Sequence, residues 1–177
     1  MRLIVAIDPG DVDSAWVVYD AETKGVRACA IEPNAEVLAH LYNPSWLPPA
    51  AKPEFAIEMV ASYGMPVGKT IFDTVVWIGR YLEALKQFDR NCRLIVRNAV
   101  KQHICKRGNA TDANISQAVI DRYGGTRPRA VGTAKAPGPL FGFKADIWAA
   151  MALAITAAET EAAYTLGPVG LTPEMPE

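Results

Sequence analysis

The sequence predicts an α/β fold, with helices packed on both faces of a mixed β-sheet. Three observations predict it. Apolar runs of strand length cluster in the first sixty residues, strand-like and helix-like segments then alternate, and an Ala-rich apolar stretch of helical length closes the pattern. Strands first and alternation afterwards is the order a sheet layered with helices requires. The 177 residues suit one domain. Half of them are hydrophobic and 21% are charged, a composition that excludes intrinsic disorder. No apolar run nears the roughly 18 residues of a spanning helix. Met1 to Asp8 is too short an apolar stretch for a secretory leader and lacks its cleavage site, so no membrane association is expected.

Arg2 to Asp8 is an apolar run ended by Asp8-Pro9-Gly10, a buried strand stopped by a turn. Ser14 to Tyr19 reads as a second strand and Val26 to Ile31 as a third, together a meander. Asn34 to Leu41 reads as a short helix capped by Asn34. Tyr42 to Pro53 carries four prolines and is a loop; Phe55 to Val60 is the fourth strand; Ser62 to Gly68 is a Gly/Pro loop. Thr70 to Phe88 reads as a helix burying Ile71, Val75, Ile78, Leu82 and Leu85, which recur every three or four residues. Arg93 to Val96 is a short strand, and Ala99 to Cys105 and Asp112 to Tyr123 are helices, the second capped by Thr111. Gly124 to Gly142, with five glycines and three prolines, reads as a long loop. Lys144 to Tyr164 reads as one long helix. The expected organisation is a single domain over residues 1–166 and a Pro/Gly-rich tail over 167–177.

The net charge of −1 hides a strong asymmetry. Between Arg90 and Ala145 stand eleven basic residues and two acids, a local excess of nine positive charges. Charge segregated in this way creates a field that can hold phosphates. Cys29, Cys92 and Cys105 are odd in number and far apart, with no metal-ligand spacing to either histidine. They read as free thiols in a reducing compartment, so the expected location is the cytoplasm.

Three carboxylates sit where a carboxylate is costly. Asp8 ends an apolar strand, Glu58 lies inside FAIEMV, and Asp146 stands near the start of ADIWAAMALAI. A charge in such surroundings needs a cation. Three that converge would suit magnesium, a hard ion that prefers oxygen ligands. Two such ions about 3.5–4 Å apart can clamp the attacking and leaving oxygens of a phosphodiester.

The order of these acids resembles the ribonuclease H-like nuclease superfamily, and within it the RuvC-like Holliday junction resolvases of phages and bacteria. The resemblance rests on LIVAIDPG, FAIEMV and FKADIWAAMALAI, with GKTIFDTVVWIGR and GNATDANISQAVIDRYG between them, and spans about residues 2 to 160. It implies a mixed five-stranded sheet flanked by helices. It implies Mg2+-dependent hydrolysis of branched DNA by water, with Mn2+ as a substitute ion, and a homodimer that matches a two-fold symmetric substrate. It makes Asp8, Glu58 and Asp146 the metal ligands. In one respect the chain departs from the pattern: bacterial members carry an acid or a histidine three residues before the last aspartate, and here that position is Phe143. Asp112 is the candidate to compensate.

Lys101, Lys106 and Arg107, with Arg97 nearby, are candidates for phosphate contact, as are Lys69 and Lys144. Tyr63 is a candidate to stack on a base. Gly64-Met65-Pro66-Val67-Gly68-Lys69-Thr70 imitates a phosphate-binding loop, but one residue is missing between its glycines and Pro66 removes an N–H, so no nucleotide cofactor is expected. Three other readings remain open at this point. One is a nuclease of the same superfamily acting on flaps, forks or RNA–DNA hybrids. Another is a non-catalytic DNA-binding module. The third, the actin-like kinase fold, generally needs two such domains and more than 177 residues.

Overall fold

The computed structural model describes residues 1–43, 47–48, 51–61, 66–160 and the backbone of 164–165. The first strands are β1 (Leu3–Pro9), β2 (Asp13–Asp20) and β3 (Gly25–Pro33), followed by α1 (Asn34–Tyr42) and β4 (Glu54–Met59). Then come α2 (Lys69–Gln87), β5 (Cys92–Val96), α3 (Arg97–Cys105) and α4 (Asp112–Arg122). A short α5 (Arg127–Ala130), the two-residue strands β6 (Gly132–Thr133) and β7 (Ala136–Pro137), α6 (Ile147–Glu159) and β8 (Tyr164–Thr165) complete the chain. The main sheet has the order β3-β2-β1-β4-β5-β8. The meander β1-β2-β3 is antiparallel, whereas β1, β4 and β5 run parallel. The five long strands form the expected mixed sheet, and β8 adds two antiparallel residues beside β5.

Strand alternation divides the core between two faces. Leu3, Val5 and Ile7 of β1 and Phe55 and Ile57 of β4 pack with α1 and α2. Ile4 and Ala6 of β1, Ala56 of β4 and Ile95 of β5 pack with α3, α4 and α6. Every residue of α6 from Ile147 to Ala157 is buried, which explains why its sequence is apolar all round.

Five expectations need correction. Asn34 does not cap α1 with its side chain; it is the first helical residue. Its amide lies buried, accepting from Ser14 Oγ at 2.6 Å and donating to the Gly10 carbonyl at 3.0 Å, with the Tyr81 hydroxyl 3.1 Å from Oδ1. The buried stripe of α2 is rotated from the expected one, to Thr74, Ile78, Tyr81, Ala84 and Leu85, with Val75 exposed. Tyr81 sets this phase, because its hydroxyl reaches Ser14 and Asn34 across the core.

The segment from Gly124 to Gly142 is not all loop. It holds α5 and the β6–β7 hairpin, closed where Gly132 adopts φ 69° and a Cβ would stand 2.2 Å from the Ala136 carbonyl oxygen. The last helix is shorter than expected at both ends. It starts at Ile147, because Ala145 takes the left-handed conformation (φ 39°). It stops at Glu159, where side chains distant in sequence take up the last carbonyls: Arg2 donates to Ala158 O at 2.9 Å, and Arg93 donates to Thr160 O at 2.6 Å and to Ala157 O. Finally, Tyr164 lies in β8 rather than in that helix. The tail over 167–177 lies outside the described residues. Among the described residues, no helix is long and apolar enough to cross a membrane.

Candidate active site

Asp8 and Glu58 follow Ala6 and Ala56 by two residues, and those alanines belong to the core under α6. In the parallel register Ile7 lies beside Ile57, so the two acids are neighbours at the carboxyl ends of adjoining strands. Parallel strands generally present their ligands at this end. Arg97 follows Ile95 with the same parity and opens α3. Asp146 immediately precedes α6 and makes no capping hydrogen bond with its side chain, so its carboxylate is not spent on the helix it introduces. The strained Ala145 forms the turn that brings Asp146 to this point. Asp112 opens α4 behind a capping box in which Thr111 Oγ1 accepts from Asn114 N and the Asn114 side chain accepts from Thr111 N.

These groups share one electrostatic neighbourhood. Burial pushes the Asp8 carboxyl well above the usual carboxylate range; Glu58, Asp146 and Asp112 push it further, and Arg97 opposes them. Burial also raises Glu58, only 8% exposed, against the opposing pull of Arg97 and Lys101. Arg97 donates from Nη1 to Glu58 Oε1 at 2.8 Å and from Nη2 to Asp112 Oδ1 at 2.7 Å. A hollow of about 290 Å³ beside them is lined by Arg97, Asp112, Ser116, Asp146 and Trp148, among others. A second, of about 370 Å³, is lined by Arg97, Asn98, Lys101 and Gly108. Among the described residues no three His, Cys, Asp or Glu side chains form a ready-made metal cage. The donor set nevertheless fits a hard divalent cation: it is all carboxylate oxygen, and burial, with a further push from neighbouring acids, raises two of its members, a cost that a cation would relieve.

Among the solved structures similar to the chain are two of RuvC from Thermus thermophilus. "Thermus thermophilus RuvC structure" superimposes with a TM-score of 0.58 at 18% identity, covering 89% of this chain and 93% of that one. "T. thermophilus RuvC in complex with Holliday junction substrate" gives 0.61 at 17% identity over the same shares. The fold is RuvC-like. No family model and no curated sequence matches the chain.

On this RuvC-like fold the other candidates differ in what they touch. Lys101, half-buried, acts on Glu58 electrostatically and lines the second hollow. Lys106 ends α3 in the left-handed conformation and is exposed, and Arg107 donates to Asn114 Oδ1 at 2.8 Å. Lys144 is exposed two residues before Asp146. Lys69 opens α2, pairs with Asp73, and lies within the field of Asp11 in the turn after β1. Tyr63 lies outside the described residues. Phe143 is 5% exposed and stacks edge-on against Trp148, with ring centroids 5.1 Å apart, so position 143 is occupied by core. Sequence reasoning missed Trp148 and Ser116 as walls of the hollow. It also placed Arg97 among residues that bind phosphates or balance transition-state charge, whereas its guanidinium is held between two acids. The available signal was parity: Arg97 follows Ile95 by two residues, on the same face as Asp8 and Glu58.

Proposed function

We propose that the chain is a divalent-cation-dependent endonuclease that hydrolyses DNA phosphodiesters at branched structures, as a Holliday junction resolvase does. One observation carries this reading. Carboxylates from β1, β4, α4 and the head of α6 share one field at the carboxyl end of a parallel strand pair, on a RuvC-like fold. Asp8, Glu58 and Asp146 would hold Mg2+ or Mn2+, with Asp112 as the nearby fourth acid. The cation would supply Lewis-acid chemistry, polarising the scissile phosphate and lowering the pKa of the attacking water. No side-chain nucleophile is needed.

The protein's own part is to bind and orient. Lys101, Lys106, Arg107 and Lys144 would engage flanking phosphates, as would Arg97 and Lys69, and Tyr63 would stack on a base. A two-fold symmetric junction calls for two copies of the chain. The α2 face that carries Phe72, Val75 and Val76, exposed by 59%, 40% and 61%, suits a homodimer contact. The expected setting is the cytoplasm, where three free thiols remain reduced.

The test is a panel of labelled four-way junctions, flaps, forks and RNA–DNA hybrids incubated with Mg2+. The junction is cut in preference to the others, and Asp146→Asn abolishes cleavage while junction binding survives. An uncut junction, or an Asp146→Asn variant that cuts normally, contradicts the proposal.

A further inference from the structure

Four acids converge on the site, yet one cation is already present in the protein. Arg97 spans Glu58 and Asp112 with its two Nη atoms, at 2.8 and 2.7 Å. Glu58 is nearly sealed, its side chain 10% exposed, whereas the Asp112 side chain is 80% exposed. The guanidinium is therefore anchored from within, at a carboxylate that cannot be left without a counter-charge. The geometry also separates the two oxygens of Glu58. Oε1 accepts from Arg97, and among the described residues Oε2 accepts no hydrogen bond. Asp8 lies in the field of Glu58 and Asp146, with the charge of Arg97 opposing them.

We infer that Arg97 permanently fills the place of a second cation, so that this site takes a single divalent ion, held by Asp8, Glu58 and Asp146. The inference rests on the nuclease reading above and alters the two-ion clamp expected from the sequence. Asp112 then belongs to the arginine: it orients the planar fork and is not a ligand of the ion. A guanidinium is suited to this work, since it never loses its charge and donates in a fixed plane to two carboxylates. Arg97 is accordingly a positioning residue and counter-ion, with no proton to give or take.

Counting bound ions tests this without reference to cleavage. Mn2+ is titrated into the full-length protein by calorimetry, and bound Mn2+ is counted independently by electron paramagnetic resonance. The wild type takes up a single ion per chain. Arg97→Gln vacates the space between Glu58 and Asp112 and takes up a second ion. Asp112→Asn alone leaves the count at one, and the double variant Arg97→Gln/Asp112→Asn returns to one. Arg97→Lys keeps the charge but loses the fork, and stays at one should the glutamine variant not fold. Two ions on the wild type, or a count unchanged by Arg97→Gln, overturns the role of Arg97 and leaves the metal-site reading standing. A wild type that binds no Mn2+ overturns both.

Discussion

Phe143 stands where the resemblance leads one to expect an acid, so Phe143→Asp is an informative perturbation. If the position were part of the site, the substitution would add a ligand and tighten metal binding. The structure gives the opposite expectation. The ring is 5% exposed, belongs to the core under α6, and meets Trp148 edge-on at 5.1 Å. Removing a buried Phe side chain costs about 3–5 kcal/mol. The lost aromatic pair adds roughly 0.5–1.5 kcal/mol. The new carboxyl must in addition be buried without a partner or carry a proton. A cost of at least about 4 kcal/mol consumes much of a typical stability of 5–15 kcal/mol. For a chain of this size it lowers the melting temperature by about 8–16 °C. Thermal denaturation followed by circular dichroism, with and without Mn2+, measures this. The loss is larger at pH 8 than at pH 5, because the buried acid is protonated at the lower pH. A variant that melts within 2–3 °C of the wild type (about 1 kcal/mol) and binds Mn2+ more tightly refutes the reasoning.

Two further outcomes follow from other parts of the molecule. Asp20 is buried and accepts from Glu22 N at 3.1 Å, Thr23 N at 3.3 Å and Arg27 Nη2 at 2.5 Å; the Arg27 bond above all lowers its pKa to about 2. Its unfolded value is about 3.9, so the stability it contributes is full above that pH and disappears as the pH falls through about 2. Asp20→Asn therefore destabilises at pH 7, and urea denaturation at pH 2 shows little difference from the wild type; a difference that is the same at both values contradicts the linkage. On α2, Val76→Glu leaves the fold within about 0.5 kcal/mol of the wild type, as is usual for an exposed site, but raises the dissociation constant of the proposed homodimer about tenfold or more. Sedimentation equilibrium reads this, and an unchanged dimer removes α2 from the interface.

Local chemistry explains what could be read from the sequence. Asp8 and Glu58 stand out because each is a charge on an otherwise apolar strand, whereas their sharing a face depends on the register that sets Ile7 beside Ile57. The cap at Thr111 was visible because it is local, though not its completion by Asn114 into a capping box. What could not be read depends on distant partners. The end of α6 is fixed by Arg2 and Arg93, more than sixty residues away in sequence. The rotation of α2 depends on a Tyr81 hydroxyl finding Ser14 and Asn34, while Ile71, Val75 and Val76 make its first turns apolar on several sides. Strands of two residues, such as β6 and β7, are too short to leave a periodic signal. The bridge made by Arg97 required knowing that β5 lies beside β4 and that α4 starts against α3.

The proposed catalytic centre depends on opposed acids being reconciled by a bound ion. An anomalous difference map from crystals soaked in Mn2+ examines this most directly. A peak is expected in contact with the carboxylates of Asp8, Glu58 and Asp146, and it disappears in Asp8→Asn crystals. Ordered Mn2+ elsewhere on the molecule, with none among these three side chains, would contradict it.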